Sequence, residues 1–540
     1  MKKKFNKKGF QKKSFKKSES ADSVAEPVLI ENLNSSSFKK KVALSGMIDR
    51  IIQTGGPTIF EIRDGTGTLA LKGFIAPGER AYPELNEGDY INATIKLEEF
   101  NGEIEGDIVK IKKAENEEEI KNTLQKRERE KAKVQPIDFL VKNKVLDKLK
   151  DRMIVAATEI RLAIFQNRPI IVRHHNDTDG YCAGFALERA ILPLIEKQHS
   201  SEKAAWEFFT RAPSAAPYYE IDDSIRDTAQ SLKNVAKFSN KMPLILIVDN
   251  GSGEEDLMAI QQGKIHGADF IVVDHHGFEK DVISAEVLTH INPFLVEESG
   301  AEICAGMLCA ELARFINPDV ANVKQIAAMS GYADRIDLAA PGTMKKYLKV
   351  AEEDGYAKEL LGDISLVIDY VSAKVRFMEV REYIEVLFGE PRDKQKELVE
   401  LMAPHIRKLD SKGLAIGVSN AKQEKIGKII LQSMDIEDTF PGFGFFPKPG
   451  RATGLVHDDY QKQSGEKAVV TAGIMRTAIT FRATDAANFS VHELKKYIEK
   501  KCPEAFIEGG GHKNAAGLSV DTNIIDEAKL KVLEVIKNNI

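Results

Sequence analysis

Three short apolar runs, each closing on aspartate and two of them on histidines as well, constrain this chain more than any other feature. Ile170-Ile171-Val172-Arg173 leads into His174-His175-Asn176-Asp177-Thr178-Asp179-Gly180. Pro243-Leu244-Ile245-Leu246-Ile247-Val248 leads into Asp249-Asn250-Gly251-Ser252-Gly253, and Asp269-Phe270-Ile271-Val272-Val273 into Asp274-His275-His276-Gly277. Nearly continuous β-branched runs read as strands buried on both faces of a parallel sheet, and such sheets bind ligands at the carboxyl ends of their strands. Every cluster sits at such an end. On an extended backbone, residues i, i+2 and i+4 share a side, so His175, Asp177 and Asp179 can be aimed at one point. One such cluster alone reads equally as a polar turn; its recurrence favours a site.

A fourth stretch, Ile326 to Asp334, places one more carboxylate after a helical run, where taken alone it reads as a helix-end or salt-bridging residue. Carboxylates mixed with neutral imidazoles suit a borderline divalent ion such as Mn2+ better than Mg2+, which prefers all-oxygen octahedra and stays the second candidate.

Taken in order, His-x-Asp-x-Asp-Gly at 175–180, Val-Asp-x-Gly-Ser at 248–252, Asp-His-His at 274–276 and Gly-x-x-Asp at 331–334 resemble the DHH phosphoesterase superfamily, and within it the RecJ-like nucleases, especially archaeal ones. The triplet alone is weak; four motifs in order are specific. The resemblance implies a two-lobed α/β fold, with a parallel-sheet catalytic domain and a mixed α/β C-terminal domain. It implies that His175 and Asp177 hold one metal ion, that Asp179, His275 and Asp334 hold another, and that Asp249 bridges them. Asp274 and His276 are then the groups that orient ligands or act on the scissile phosphate. The implied activity is 5′ to 3′ exonuclease action on single-stranded DNA or RNA by two-metal in-line attack of water.

The C-terminal stretch Gly509-Gly510-Gly511-His512-Lys513-Asn514-Ala515-Ala516-Gly517 lets a backbone approach a ligand closely and present amides to an anion. Without context it is a loop; here it looks like the substrate-binding motif of the DHH-associated domain, and it extends the resemblance over roughly residues 165 to 540. Met475 to Thr484 is predicted as a strand with Arg476 and Arg482 on one face, suited to clamping phosphate. Arg482 matches the family's arginine position, whereas Arg476 reads equally as a surface residue.

Ahead of these motifs, residues 1–37 form a basic tail and linker: nine lysines and no acid fall in the first 18 residues, interleaved with Phe5, Phe10 and Phe15. Removing those nine from the net charge of −5 leaves −14 for the remainder. The tail suits sequence-independent nucleic-acid contact, or is simply solubilising. Over 38–114, five short alternating strands with turns at Asp64-Gly65-Thr66-Gly67 and Phe100-Asn101-Gly102 look like a β-barrel OB-fold that binds nucleic acid. Phe60, Arg63, Lys72 and Phe74 are its candidate stacking and phosphate contacts, although Phe60 and Phe74 could equally fill the barrel core.

Residues 115–164 read as a charged helical connector, 165–344 as the catalytic domain, 345–412 as a helical spacer and 413–540 as the C-terminal domain, opening on a strand at Leu414–Val418. Pro193 is expected to end the helix that follows the first motif. With 43% hydrophobic residues in 540, each domain can bury a core. No apolar run approaches a membrane span, no secretory signal is read at the N-terminus, and the four cysteines include no C-x-x-C pair. A soluble cytoplasmic protein is expected, with replication or repair proteins as candidate partners. Two further classes remain open: a DHH phosphodiesterase of oligoribonucleotides or cyclic dinucleotides, and a non-catalytic replication scaffold.

Overall fold

The computed structural model describes residues 25–100, 103–199, 203–214, 216, 218–238, 240–375, 381–436, 446–501, 507–512, 514–520, 531 and 534. The basic tail, the Asn101-Gly102 turn, Cys502 and Lys513 lie outside them, as does the side chain of His512. Among the described residues no helix is long and apolar enough to cross a membrane.

Five strands form the N-terminal barrel, β1 (Lys41–Gln53), β2 (Thr58–Arg63), β3 (Thr68–Gly73), β4 (Tyr90–Phe100) and β5 (Glu103–Lys113), and the short extended segment Glu26–Pro27 pairs in parallel with β1. They are ordered β1-β2-β3-β5-β4, and β1 pairs with β4 to close the barrel. Along β1 and β4 buried and outward positions alternate, so Leu44, Ile48, Ile91, Ile95 and Leu97 meet Phe60, Ile62 and Leu71 in one core. Phe60 is fully buried at that centre, edge-on to Tyr82, and is therefore core, not a stacking platform.

Helices α1 (Glu117–Ala132) and α2 (Lys144–Phe165) lead to strand β6 (Ile170–His174). Next come α3 (Thr178–His199), β7 (Phe209–Pro213), α4 (Ile221–Phe238), β8 (Leu244–Val248), α5 (Glu254–Ile265), β9 (Asp269–Val273) and β10 (Thr289–Ile291). The sheet is wholly parallel, ordered β10-β9-β8-β6-β7. All five residues of β8 are buried, as a continuous Leu-Ile-Leu-Ile-Val run requires. α3 does not stop at Pro193: it runs to His199, with Ile191 and Ile195 buried on either side of the proline. Packing of that apolar face holds the helix through the backbone hydrogen bond that proline removes.

Helices α6 (Ala305–Ile316), α7 (Lys324–Ala333), α8 (Pro341–Glu353), α9 (Lys358–Val375), α10 (Arg381–Leu387) and α11 (Arg392–Asn420) follow. The strand expected at Leu414–Val418 is instead the last turn and a half of α11. Gly413 and Gly417 are buried while Ala415 and Val418 are exposed, which is a helical and not an alternating pattern.

The C-terminal lobe holds β11 (Lys422–Ile426), β12 (Ile429–Asp435), α12 (Pro449–Ser464), β13 (Val469–Ile474), β14 (Ala478–Ala483), α13 (Val491–Lys501), β15 (Glu508–His512) and β16 (Ala515–Ser519). Its sheet is ordered β11-β12-β13-β14-β16-β15, antiparallel except between β12 and β13.

The barrel is fastened to the amino ends of the parallel strands. Asp49 on β1 takes Lys241 at 2.6 Å, just before β8, and the amide of Asn167 at 3.0 Å, just before β6. Arg50 pairs with Glu61 at 2.8 Å and with Glu207, which precedes β7. Arg63, buried, pairs with Asp49 at 3.3 Å and with Glu128 on α1. Arg63 is thus committed to this seam and cannot serve as a phosphate contact on an open face. The charged helix α1 packs on the barrel and is no spacer: a Cβ at Gly65 would meet the Leu124 carbonyl at 2.8 Å.

Candidate metal centre

The strand ends β6, β8 and β9 and the end of α7 bring the acids and histidines into one place. His175 Nδ1 lies 3.0 Å from Asp177 Oδ2 and 3.6 Å from Asp249 Oδ2. His275 Nε2 lies 3.3 Å from Asp249 Oδ1 and 3.6 Å from Asp179 Oδ2, and its Nδ1 lies 3.7 Å from Asp334 Oδ2. Among the described residues three donor groups result: His175, Asp177 and Asp249; Asp249, His275 and His276; and Asp179, Cys304 and Asp334. Asp249 belongs to two of them.

The backbone is bent to make this possible. Asp249 has φ +60°, a left-handed conformation costly for a residue with a Cβ, and Gly251 follows at φ +100°. Asp249 is 1% exposed, and its Oδ2 accepts no hydrogen bond. A Cβ on Gly300 would meet the His275 carbonyl at 1.8 Å, so only glycine allows this close approach.

Electrostatics follow from the crowding of acids in a buried place. Burial, then Asp249 and Asp334, raise the Asp179 carboxyl well above the usual range. Burial would lower His275, but Asp334, Asp249 and Asp179 outweigh it and hold its pKa well above normal; Asp177 does the same for His175. Such a field draws protons or a divalent cation, and Asp249 Oδ2, a buried carboxylate oxygen whose neighbour His175 Nδ1 stays at 3.6 Å, fits a cation. The residues present therefore fit metal.

Some of the surrounding groups are legible only in three dimensions. The Asp179 carboxylate accepts the main-chain amides of Ala305 at 3.0 Å and Gly306 at 2.9 Å, at the start of α6, and also the Ser330 hydroxyl. Cys304 Sγ lies 2.8 Å from that same hydroxyl. No sequence signal marked Cys304 or Ser330. Asp274 Oδ1 accepts the amides of His275 and His276 at 2.8 and 3.2 Å and meets His276 Nδ1 at 2.7 Å, so Asp274 fixes the backbone of both histidines and the ring of His276, while His275 Nδ1 lies 3.1 Å from the Gly300 carbonyl. The place of His276 in a donor group is a position its sequence motif did not give it.

Across the cleft, Arg482 on β14 lies over α12: a Cβ at Gly450 or Gly454 would come within 3.4 or 3.6 Å of its guanidinium. Arg482, Ala515 and His512 occupy one register row of the C-terminal sheet. Gly509, Gly510 and Gly511 lie in strand β15, paired with β16, and not in a loop. Gly509 has φ +138°, and a Cβ there would meet the Gly517 carbonyl at 2.2 Å. Arg476, expected on the strand beside Arg482, sits exposed in the turn between β13 and β14. The two lobes touch where Tyr218 donates to Glu508 at 2.6 Å and where Arg335 meets Asp458 at 2.9 Å.

On the barrel, Lys72 pairs with Glu105 and lies 4.1 Å from the Phe100 ring centre. Phe74, just past β3, is 63% exposed and Phe100 is 54% exposed.

Residues 169–330 match the family model for the DHH family, N-terminal domain. The uncharacterized protein MJ1198 of Methanocaldococcus jannaschii is 34% identical over 527 residues, which span 92% of this chain and 69% of that protein. A solved DHH domain, described as that of a member of a family of ribosomal proteins, superposes with a TM-score of 0.73 at 34% identity, covering 78% of this chain and 98% of its own. RecJ of Thermus thermophilus in complex with Mn2+ gives a TM-score of 0.49 at 18% identity, covering 76% of this chain and 57% of its own. Motifs, parallel sheet and convergent strand ends agree with the match: this chain belongs to the DHH family and carries an OB-like five-stranded barrel ahead of its DHH domain.

Proposed function

We propose that the protein is a metal-dependent phosphodiesterase that shortens single-stranded DNA or RNA, from the 5′ end by family resemblance. The observation that carries this reading is Asp249, held at φ +60° with a buried, unsatisfied oxygen and shared by two donor groups. Strain kept at a ligand position is a mark of function.

His175, Asp177, Asp249, His275, Asp179 and Asp334 would hold two divalent ions, Mn2+ before Mg2+. Such ions, when bound, supply a hydroxide at neutral pH and neutralise charge on the phosphodiester oxygens. The protein groups do the rest. Asp274 fixes His276 through Nδ1, leaving Nε2 as the nitrogen that can donate to a phosphate oxygen. Arg482 and those amides of Gly509 to Gly511 that point away from β16, on the open edge of the sheet, would hold the phosphate that follows. Phe74, Phe100 and Lys72 on the barrel would meet bases and backbone further along the strand.

The test is hydrolysis of single-stranded DNA and RNA, labelled at either end, by purified protein with Mn2+ and with Asp249→Ala as control. Release of labelled mononucleotide from the 5′ end, lost in the variant, is the expected result. Consumption of dinucleotides alone would assign the protein to small substrates, and no hydrolysis of any substrate would sink the enzymatic reading.

A further inference from the structure

The loop that carries His175, Asp177 and Thr178 is held from the opposite lobe. Lys448, the residue that opens α12, donates from Nζ to the main-chain oxygen of Asn176, between His175 and Asp177, and at 2.8 Å to Ser372 Oγ on α9. One turn on, Arg451 meets Asp410 at 2.6 Å and Asp369 at 3.5 Å. Asp369 in turn accepts the amide of Thr178 at 3.2 Å and its hydroxyl at 2.8 Å. The first turn of α12 therefore grips both ends of the segment from Asn176 to Thr178. The same turn carries Gly450, against which Arg482 lies.

Local chemistry argues that this placement is selected against helix preference. Helix N-termini favour Ser, Thr, Asp or Asn as caps and acids in the first turn. α12 opens instead on Lys448 and Arg451, with no acid in its first turn. A residue at odds with its local rule marks a place where another requirement dominates. Here the ammonium answers the carbonyl of Asn176 and faces the carboxylate of Asp177.

We infer that Lys448 is a positioning residue of the metal centre, holding the His175–Asp177 loop in ligating geometry from the C-terminal lobe; this rests on reading the centre as a metal-dependent phosphodiesterase. The arrangement couples the lobe that would grip phosphate to the loop that would grip metal. Two opposing effects must be separated. As a nearby positive charge Lys448 repels a cation, whereas as a tether it keeps two ligands in place. Loss of partners that orient metal ligands costs roughly 10- to 100-fold in metal affinity or activity, and the tether is inferred to dominate.

The experiment uses the full chain: wild type, Lys448→Met, Lys448→Arg and Ser372→Ala, with Mn2+ binding followed by titration calorimetry in the absence of substrate. kcat and KM on a labelled single strand at saturating Mn2+, and melting of the metal-free proteins, complete the set. Lys448→Met is expected to weaken Mn2+ binding by about tenfold or more and to lower kcat more than it raises KM. Lys448→Arg should recover part of both, and Ser372→Ala, which leaves the lysine in place, should give a smaller loss in the same direction. Unchanged Mn2+ affinity in both Lys448→Met and Ser372→Ala overturns the inference. Tighter Mn2+ binding in Lys448→Met overturns it too, since the ammonium would then act only as a charge. A rise in KM alone would make Lys448 a substrate contact. Weaker Mn2+ binding in a protein whose wild type cleaves no strand would uphold the tether while removing the proposed function.

Discussion

Gly180 packs so tightly on His175 that a Cβ added to it would lie 2.1 Å from the His175 carbonyl oxygen and 2.8 Å from its amide nitrogen. The first turn of α3 thus folds back directly under the loop that presents His175 and Asp177. The Gly180 amide also donates to Asp177 Oδ1 at 3.0 Å, which fixes that carboxylate. Gly180→Ala must push the loop away, and displacement of catalytic groups by about 1 Å costs on the order of a hundredfold in rate. Hydrolysis with Mn2+ is expected to fall by at least that much while the barrel stays folded; rates within a few fold of wild type would show that the loop tolerates the shift.

The Asp49 carboxylate faces both Arg63 and Lys241 in the seam between barrel and catalytic lobe, and their charges hold it below the usual range despite its burial. Asp49→Ala leaves the half-buried Lys241 without this partner and the buried Arg63 with Glu128 alone; breaking a fully buried pair typically costs about 3–5 kcal/mol, and the solvent that reaches Lys241 brings the loss here below that range. Melting of the variant should begin earlier and separate into two transitions if the barrel detaches first. A single transition at the wild-type temperature would mean that the seam contributes little.

Of the four barrel residues marked from sequence, only Phe74 is widely exposed, and Lys72 lies on the neighbouring Phe100 ring. Phe74→Ala is expected to weaken binding of long single strands by about 1–3 kcal/mol, the usual worth of one base–aromatic stack. Turnover of a dinucleotide should be unchanged. Filter binding and dinucleotide hydrolysis on the same preparation distinguish this from general damage.

His290 is buried between Ser252 Oγ at 2.9 Å and Ser284 Oγ at 3.0 Å, and burial pushes its pKa down to about 4. A histidine that stays neutral in the fold contributes stability that is fully present above its unfolded value near 6.5 and is lost as pH falls from there toward 4. The loss for this one residue is about 3 kcal/mol across that window. His290→Gln, neutral at every pH, should flatten the acid limb of the melting curve between about pH 6.5 and 4. An acid limb identical to that of wild type would place the acid sensitivity elsewhere.

The strands that bear the site were readable because their apolar runs are short, continuous and closed by ligand-type residues, so β6, β8 and β9 fall where the sequence places them. The side that each residue faces was less legible. Phe60 and Arg63 lie three apart on β2, and alternation puts them on opposite faces; both are buried, one in the barrel and one in the seam, because a second surface covers the barrel there. That surface comes from residues more than 100 positions away in sequence, such as Lys241 and Asn167. Leu414–Val418 suits strand and helix alike in sequence because five apolar residues cannot separate a period of 2 from 3.6, and the helix depends on packing of Leu414 and Ile416 against Ala452 and Val456. Cys304 enters the site through the start of α6, a juxtaposition that no local pattern encodes.

The barrel is fastened beneath the parallel sheet and the ligands crown its top, with strands of five residues, roughly 16 Å, between them. Any chain molecule that touches both must run around the flank of the catalytic lobe. The depth of the sheet therefore acts as a ruler. Short oligomers would meet only the crown, and the barrel would add its hold only once a strand is long enough to reach below. Affinity should then rise in a step with length, not in proportion to it.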